Sequence, residues 1–209
     1  MFKIIIQIII LIYLIATFYH STQLQKYNTN GFIIDTDDTK TMFRNLEILN
    51  PVLLKSNIDY HTKEKLISSF KDKQLFQKIT VQNDFDINQL PKPEFHFPIQ
   101  KSISVLDQSI PLKKCIHNYN IICLLEGECT FYLFNPKHTD EIQNKENHQI
   151  RKWGHKKKVQ KGDILLIPPF WSYLQEVQQK TIQYHIDIDN YFTFIVNFLK
   201  EFYFEYVDG

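Results

Sequence analysis

Apolar residues crowd the amino-terminal end of the chain and then break into short runs separated by turn residues. Phe2 to Tyr19 read FKIIIQIIILIYLIATFY, with Lys3 as the charge and Gln7 as the strongly polar interior residue. Eighteen helical residues rise roughly 27 Å, close to a ~30 Å hydrocarbon core. Three readings compete for this segment. A cleaved signal peptide needs small residues at −3 and −1, but Phe18 follows Ala16 by two places and Tyr19 precedes Ser21 by two. A buried soluble helix would carry a polar face, and this stretch is apolar all round. An uncleaved single-pass anchor over residues 2–19 fits best. Lys3 and Lys26 flank the segment on opposite sides and no Asn-x-Ser/Thr sequon occurs, so the side on which the remaining chain lies stays open.

Residues 20–38 are polar and aperiodic and are read as a tether, with the folded domain over 39–209. Asp37-Asp38-Thr39 offers an N-cap for a short helix carrying Met42, Phe43 and Leu46, ended by Asn50-Pro51. Val52–Leu54 reads as a strand, 62–72 as an amphipathic helix, and 84–98, with three prolines, as a loop. From residue 102 the pattern becomes one of short strands. Asn120–Leu125 and Glu128–Phe134 flank Glu126-Gly127, which reads as a tight hairpin turn. IICLL (121–125) is a continuous apolar run, as expected of a strand covered on both faces. Residues 137–158 form a long polar excursion. Ile164–Ile167, Trp171–Val177 and Thr181–Asp187 continue the β pattern, and 190–206 predicts a C-terminal helix on the outside of the sheet. Short antiparallel strands in this number predict a mainly β fold, a small barrel or double-sheet jelly roll with flanking helices.

Composition narrows the function only by exclusion. A chain of 209 residues suits one domain plus an appendage, and 44% apolar residues are too many for a disordered chain. A net charge of +1 argues against a dedicated nucleic-acid binder. Five glycines and no GxGxxG or GxxxxGK[ST] leave no phosphate loop. Cys115, Cys123 and Cys129 fit neither a zinc knuckle nor a disulfide framework, and lie where cysteine behaves as a small apolar residue.

GDILLIPPFWSY (162–173) resembles the second conserved stretch of cupins and, more closely, the GD-x-[IL]-x-IPP-x-W-x-H stretch of cupin-like, JmjC-related proteins. NYNIICLLEGECTFYLFNP (118–136) is similar to the preceding hairpin of that family, and ILNPVLLKSN (48–57) to the first strand of such domains. The resemblance covers about residues 40–200 and implies a cupin-like double-stranded β-helix. Anchored chains with an IPP-x-W-x-Y ending resemble cupin-like proteins of large DNA viruses, which implies a viral protein of a host or virion membrane. The Ile-, Lys-, Asn-, Phe- and Tyr-heavy composition fits an AT-rich genome. Active members of the family resemble one another in holding Fe(II) through an HxD/E pair and a distal His, beside 2-oxoglutarate. Here Tyr173 stands at the distal position, Tyr119 rather than an acid follows His117 by two, and Asn120 stands where a Glu is expected seven residues before Gly127.

The expectation is therefore a membrane-anchored cupin-like domain with a degenerate metal site. It is read as a binding or structural module without catalytic residues, metal or cofactor. The alternative is an Fe(II)/2-oxoglutarate hydroxylase with atypical ligands His117, Tyr173 and His185. His185-Ile186-Asp187 is a literal HxD, and strand alternation reads His185, Asp187 and Asp189 as a solvated polar face. Tyr119, Trp171 and Tyr173 are candidates for a ligand pocket, with core filling as the rival role for Trp171 and Tyr173. Arg151, Lys152, Lys156, Lys157 and Lys158 cluster around Trp153 as a basic patch, either a solvated loop or a surface for anionic lipid. The partner expected is a lipid bilayer through residues 2–19, with no specific nucleic acid.

Overall fold

A computed structural model describes residues 2–26, 34–36, 50–55, 79–80, 100–143, 145–190 and 194. The helices expected over 39–49 and 62–72, the proline loop at 84–98, and the C-terminal helix beyond its first positions lie outside the described residues.

The first element, α1, runs from Phe2 to Lys26 and is 25 residues long. It continues through residues 20–26, which the sequence assigns to the tether. Extending an existing helix needs no new nucleus, and Gln, Leu and Lys are good helix formers. Ile4, Ile9, Leu14 and Phe18, among the apolar side chains described in α1, are exposed. Side chains are described only over 3–19, and among the described residues no helix is long and apolar enough to cross a membrane.

The β region forms two sheets. The larger comprises β1 (Ile34–Thr36), β2 (Val52–Leu54), β3 (Ile79–Thr80), β4 (Gln100–Leu106), β6 (Tyr119–Glu126), β9 (Ile164–Ile167) and β11 (Thr181–Ile188), in the order β1-β2-β9-β6-β11-β4-β3. The smaller comprises β5 (Ile110–Lys114), β7 (Glu128–Phe134), β8 (His155–Gln160) and β10 (Ser172–Val177), in the order β5-β10-β7-β8. β1 and β2 run parallel, and the other pairs run antiparallel.

Side-chain alternation along these strands builds three apolar layers. Ile122, Leu124 and Leu165 of the larger sheet meet Phe131, Leu133 and Val159 of the smaller one between the sheets. Ile121, Cys123, Leu166, Tyr184 and Ile186 form a second layer on the outer face of the larger sheet. The continuous run at 121–125 is thus covered on both faces. Tyr132, Phe134 and Leu174 form a third layer outside the smaller sheet, beneath Ile142 and Ile150. Those two residues belong to single-turn helices α2 (Thr139–Ile142) and α3 (Asn147–Ile150). The polar excursion expected at 137–158 is therefore partly packed, and its last part is strand β8.

Glu126-Gly127 is not a hairpin turn. β6 pairs with β9 and β11, whereas β7 pairs with β8 and β10, so Gly127 carries the chain from one sheet to the other. Its φ is +84°, and a Cβ there would lie 2.9 Å from the Lys180 carbonyl oxygen and 2.8 Å from the Thr181 methyl. Glycine is required both by its dihedral and by that close approach. The Gly162-Asp163 pair has a different task. Gly162 (φ +94°) donates its N–H to the Leu124 carbonyl, while Asp163 accepts from the Gln160 N–H and from Lys55 Nζ at 2.6 Å. That side chain closes the turn into β9 and ties it to the residue after β2.

Candidate functional site

The inner face of β11 is set by its neighbours. Gln183 lies opposite Leu124 of β6, His185 opposite Ile122 and Asp187 opposite Asn120, and Ile122 and Leu124 belong to the layer between the sheets. His185 and Asp187 therefore point inward. The solvated face expected for His185, Asp187 and Asp189 is corrected: Asp187 and Asp189 are buried and His185 is half-buried. Alternation gave the correct grouping, but it could not tell which group faces the second sheet. On the other side of β11, Ser102 lies opposite His185 and Ser104 opposite Gln183, so β4 contributes two inward hydroxyls.

β10 supplies the facing wall. After Pro168-Pro169, Phe170 has φ +69°, a region costly for a bulky L-residue. Two backbone bonds hold it there: Phe170 N donates to the Cys115 carbonyl, and Cys115 N donates to the Trp171 carbonyl. The chain enters β10 with Tyr173 turned inward, 5.8 Å from Phe131 between ring centroids. Lys113 of β5 is Tyr173's partner across the strands and stays exposed at the rim.

These strands enclose a cavity of about 220 Å³. Ser102, Ser104, Asn120, Tyr173, His185 and Asp187 form its polar wall, Val105, Leu106 and Ile110 an apolar one, and Lys113 stands beside it. At ~30 Å³ per water that is room for roughly seven waters or one small ligand. Ser104 Oγ and His185 Nε2 lie 2.9 Å apart. Asn120 Nδ2 donates to Asp187 Oδ1. Asn120 is only 4% exposed, and its Oδ1 has no hydrogen-bond partner among the described residues. Deeper between the sheets, both polar atoms of the Gln175 amide and Oε1 of Gln183 also lack partners there, while Gln183 Nε2 donates to Cys129 Sγ at 3.6 Å.

Behind Asp187 stands His117. Its Nδ1 donates to Asp189 Oδ2 at 2.8 Å, since a carboxylate has no proton to give, and its Nε2 lies 3.9 Å from Asp187 Oδ2. Asp189 also accepts from the Asn118 N–H. The network runs from Asp189 through His117 and Asp187 to Asn120 at the cavity wall.

The candidates taken from the sequence thus separate. Tyr173 and His185 share the cavity, but His117 stands outside it, held by Asp189. Burial, helped by the neighbouring Cys115 and Asp187, pushes the Tyr173 phenol well above its ordinary range, so it stays protonated and is a poor anionic ligand. Among the described residues no group of three or more His, Cys, Asp or Glu side chains could hold a metal ion. This donor set does not fit the iron of the hydroxylase alternative. Trp171 is fully buried in the layer between the sheets, and Tyr119 packs against the outer layer of the larger sheet. Ser102, Ser104, Lys113 and Asp187 were not among the pocket candidates. In the sequence Ser102 with Ser104 and His185 with Asp187 show only an i, i+2 spacing, and Lys113 carries no such mark.

Burial raises all three thiols, Cys123 and Cys129 to about 12, so none is a ready nucleophile. The basic patch is divided among partners. Arg151 pairs with Glu176, Lys157 with Asp35 at 2.9 Å and Lys158 with Glu128 at 2.8 Å. Lys152 lies over the Trp153 ring and Lys156 over Tyr132.

No family model matches the sequence, and no curated protein matches it as a relative. Solved structures that resemble it include a protein from Neisseria meningitidis, at 10% identity and a TM-score of 0.40, covering 60% of this chain and 95% of that one. A cupin-2 domain containing protein from Shewanella frigidimarina is 10% identical, with a TM-score of 0.38, covering 62% of this chain and 98% of the other. Hydroquinone 1,2-dioxygenase from Sphingomonas sp. TTNP3, with 4-hydroxybenzoate bound, is 11% identical with a TM-score of 0.34, covering 55% of this chain and 84% of that one. Likeness at this level carries nothing about activity.

Proposed function

We propose that this chain is a cupin-like binding module, tethered to a membrane by α1, that takes a small polar ligand between its two sheets. One observation carries the reading. The cavity is walled by six polar side chains from four strands, and one of them, Asn120, presents a buried oxygen that lacks a donor among the described residues. A folded protein that leaves a buried acceptor unpaired forgoes about 1–3 kcal/mol, which an occupant with a donor recovers. The reading is non-catalytic because the phenol is held protonated and the thiols are raised.

The tether reading rests on the length of α1 and on its apolar sequence. The apolar residues 2–19 of α1 rise roughly 27 Å, close to a ~30 Å hydrocarbon core. A host or virion membrane of a large DNA virus is the location that the resemblance implies.

The test is a thermal-shift screen of small polar compounds on the full chain in detergent, beside a Ser104→Leu variant that fills the cavity. Compounds that raise the midpoint of the parent and leave the variant unmoved support the reading. A screen in which every shift survives Ser104→Leu rejects it.

A further inference from the structure

Resting on that reading, we infer that the ligand is a short carboxylate bearing a hydroxyl or amino donor, held with its donor inward and its carboxylate at the rim. The two ends of the cavity make opposite demands. At the deep end stand Asn120 Oδ1, unpartnered among the described residues, and the Asp187 carboxylate, both acceptors. Asp187 is already met by Asn120 Nδ2 on one oxygen and approached by His117 on the other. An anionic group pushed to this end would face a buried carboxylate, so the ligand must arrive there with an N–H or O–H.

At the rim the charge reverses. Lys113 is paired across the strands with Tyr173, on the cavity side of β5, and is exposed, so its ammonium can swing over the opening. Among the described residues no carboxylate pairs with it. An ammonium beside a half-open cavity favours an anion on its own side. Between the ends, Ser102 and Ser104 can donate or accept, and Val105, Leu106 and Ile110 suit a few methylenes. A carboxylate without a donor leaves Asn120 unmet, and an amide of the same shape leaves Lys113 unmet.

The experiment uses the full chain in detergent and titration calorimetry with lactate, 3-hydroxybutyrate and 4-aminobutyrate, which differ in the spacing from donor to carboxylate. Butyrate lacks the donor, and 3-hydroxybutyramide lacks the charge. At least one donor-bearing carboxylate is expected to bind about tenfold or more tightly than either comparison compound. Lys113→Gln, at an exposed position that should not disturb folding, is expected to cost that carboxylate about tenfold and to leave 3-hydroxybutyramide unchanged. Butyrate binding as well as the tightest of the three donor-bearing carboxylates overturns the inference, as does a Lys113→Gln variant that keeps full affinity for it. If only uncharged compounds bind, and Ser104→Leu abolishes their binding, the ligand class is wrong while the cavity reading stands. If nothing binds in a manner sensitive to Ser104→Leu, both fall.

Discussion

Asn120 looks, in the sequence, like an amide where a carboxylate ligand belongs. In the fold it is a wall residue whose Nδ2 meets Asp187 and whose Oδ1 awaits a donor. The sequence could not show this, because the role depends on a cross-strand neighbour 67 residues away. Gly127 is the opposite case: the residue type was informative, but the structure it served was misread. With φ at +84° it needs glycine or a residue tolerant of left-handed backbone, and the Lys180 carbonyl oxygen, 2.9 Å from where a Cβ would sit, narrows that to glycine. Gly127→Ala should therefore lower the unfolding free energy by about 2–3 kcal/mol, measured by urea denaturation. Gly127→Asn separates the causes. If the dihedral alone mattered, asparagine would recover much of the loss. Because the obstacle is a backbone oxygen, Gly127→Asn should be destabilised about as much as Gly127→Ala, and a clear recovery would refute the steric account.

Strands were legible as elements where their apolar runs were unbroken, as in β6 and β9, because both faces of those strands are covered. β8 was not legible. His155–Gln160 reads HKKKVQ, too polar to announce a strand, and only Val159 of it is buried. It survives as the last strand of the smaller sheet through its pairing with β7 and its ion pairs to Asp35 and Glu128. Among the described residues no strand pairs with the far side of β8, and lysines there discourage a second chain from adding to it, which gives the basic patch a role without any lipid. The assignment of strands to sheets was equally hidden, since an antiparallel run looks the same whether it turns back on its neighbour or crosses to the facing layer. α1 poses the remaining question at this scale. Its exposed isoleucines have no polar face to turn toward water, so the full chain is expected in the membrane fraction and resistant to extraction at alkaline pH. A variant lacking residues 2–19 should move to the soluble fraction. Recovery of the full chain as a soluble monomer without detergent would remove the tether from the reading.

At the scale of the molecule the layers share one liability, buried cysteines on both faces of the larger sheet. Cys123 sits in the outer layer, and Cys115 and Cys129 sit between the sheets. Burial raises all three thiols, Cys123 and Cys129 from 9.0 to about 12. The unfolded chain therefore releases these protons at lower pH than the folded one. Below about pH 9 both states hold them and the contribution to stability is complete. Above it the unfolded state binds fewer protons, so the unfolding free energy falls as pH rises toward 12. Each thiol contributes a slope of up to about 1.4 kcal/mol per pH unit, and three together about 4, a large share of a typical 5–15 kcal/mol. Tyr173, also raised by burial, steepens the decline from about pH 10. The urea midpoint, followed with a reductant present, should hold steady from pH 7 to 8.5 and drop sharply by pH 10. Cys123→Ala will lower the plateau by leaving a small cavity, but it should also remove about a third of the slope. A midpoint that stays level through pH 10, or a slope untouched by Cys123→Ala, would mean that these thiols reach water more readily than the packing allows.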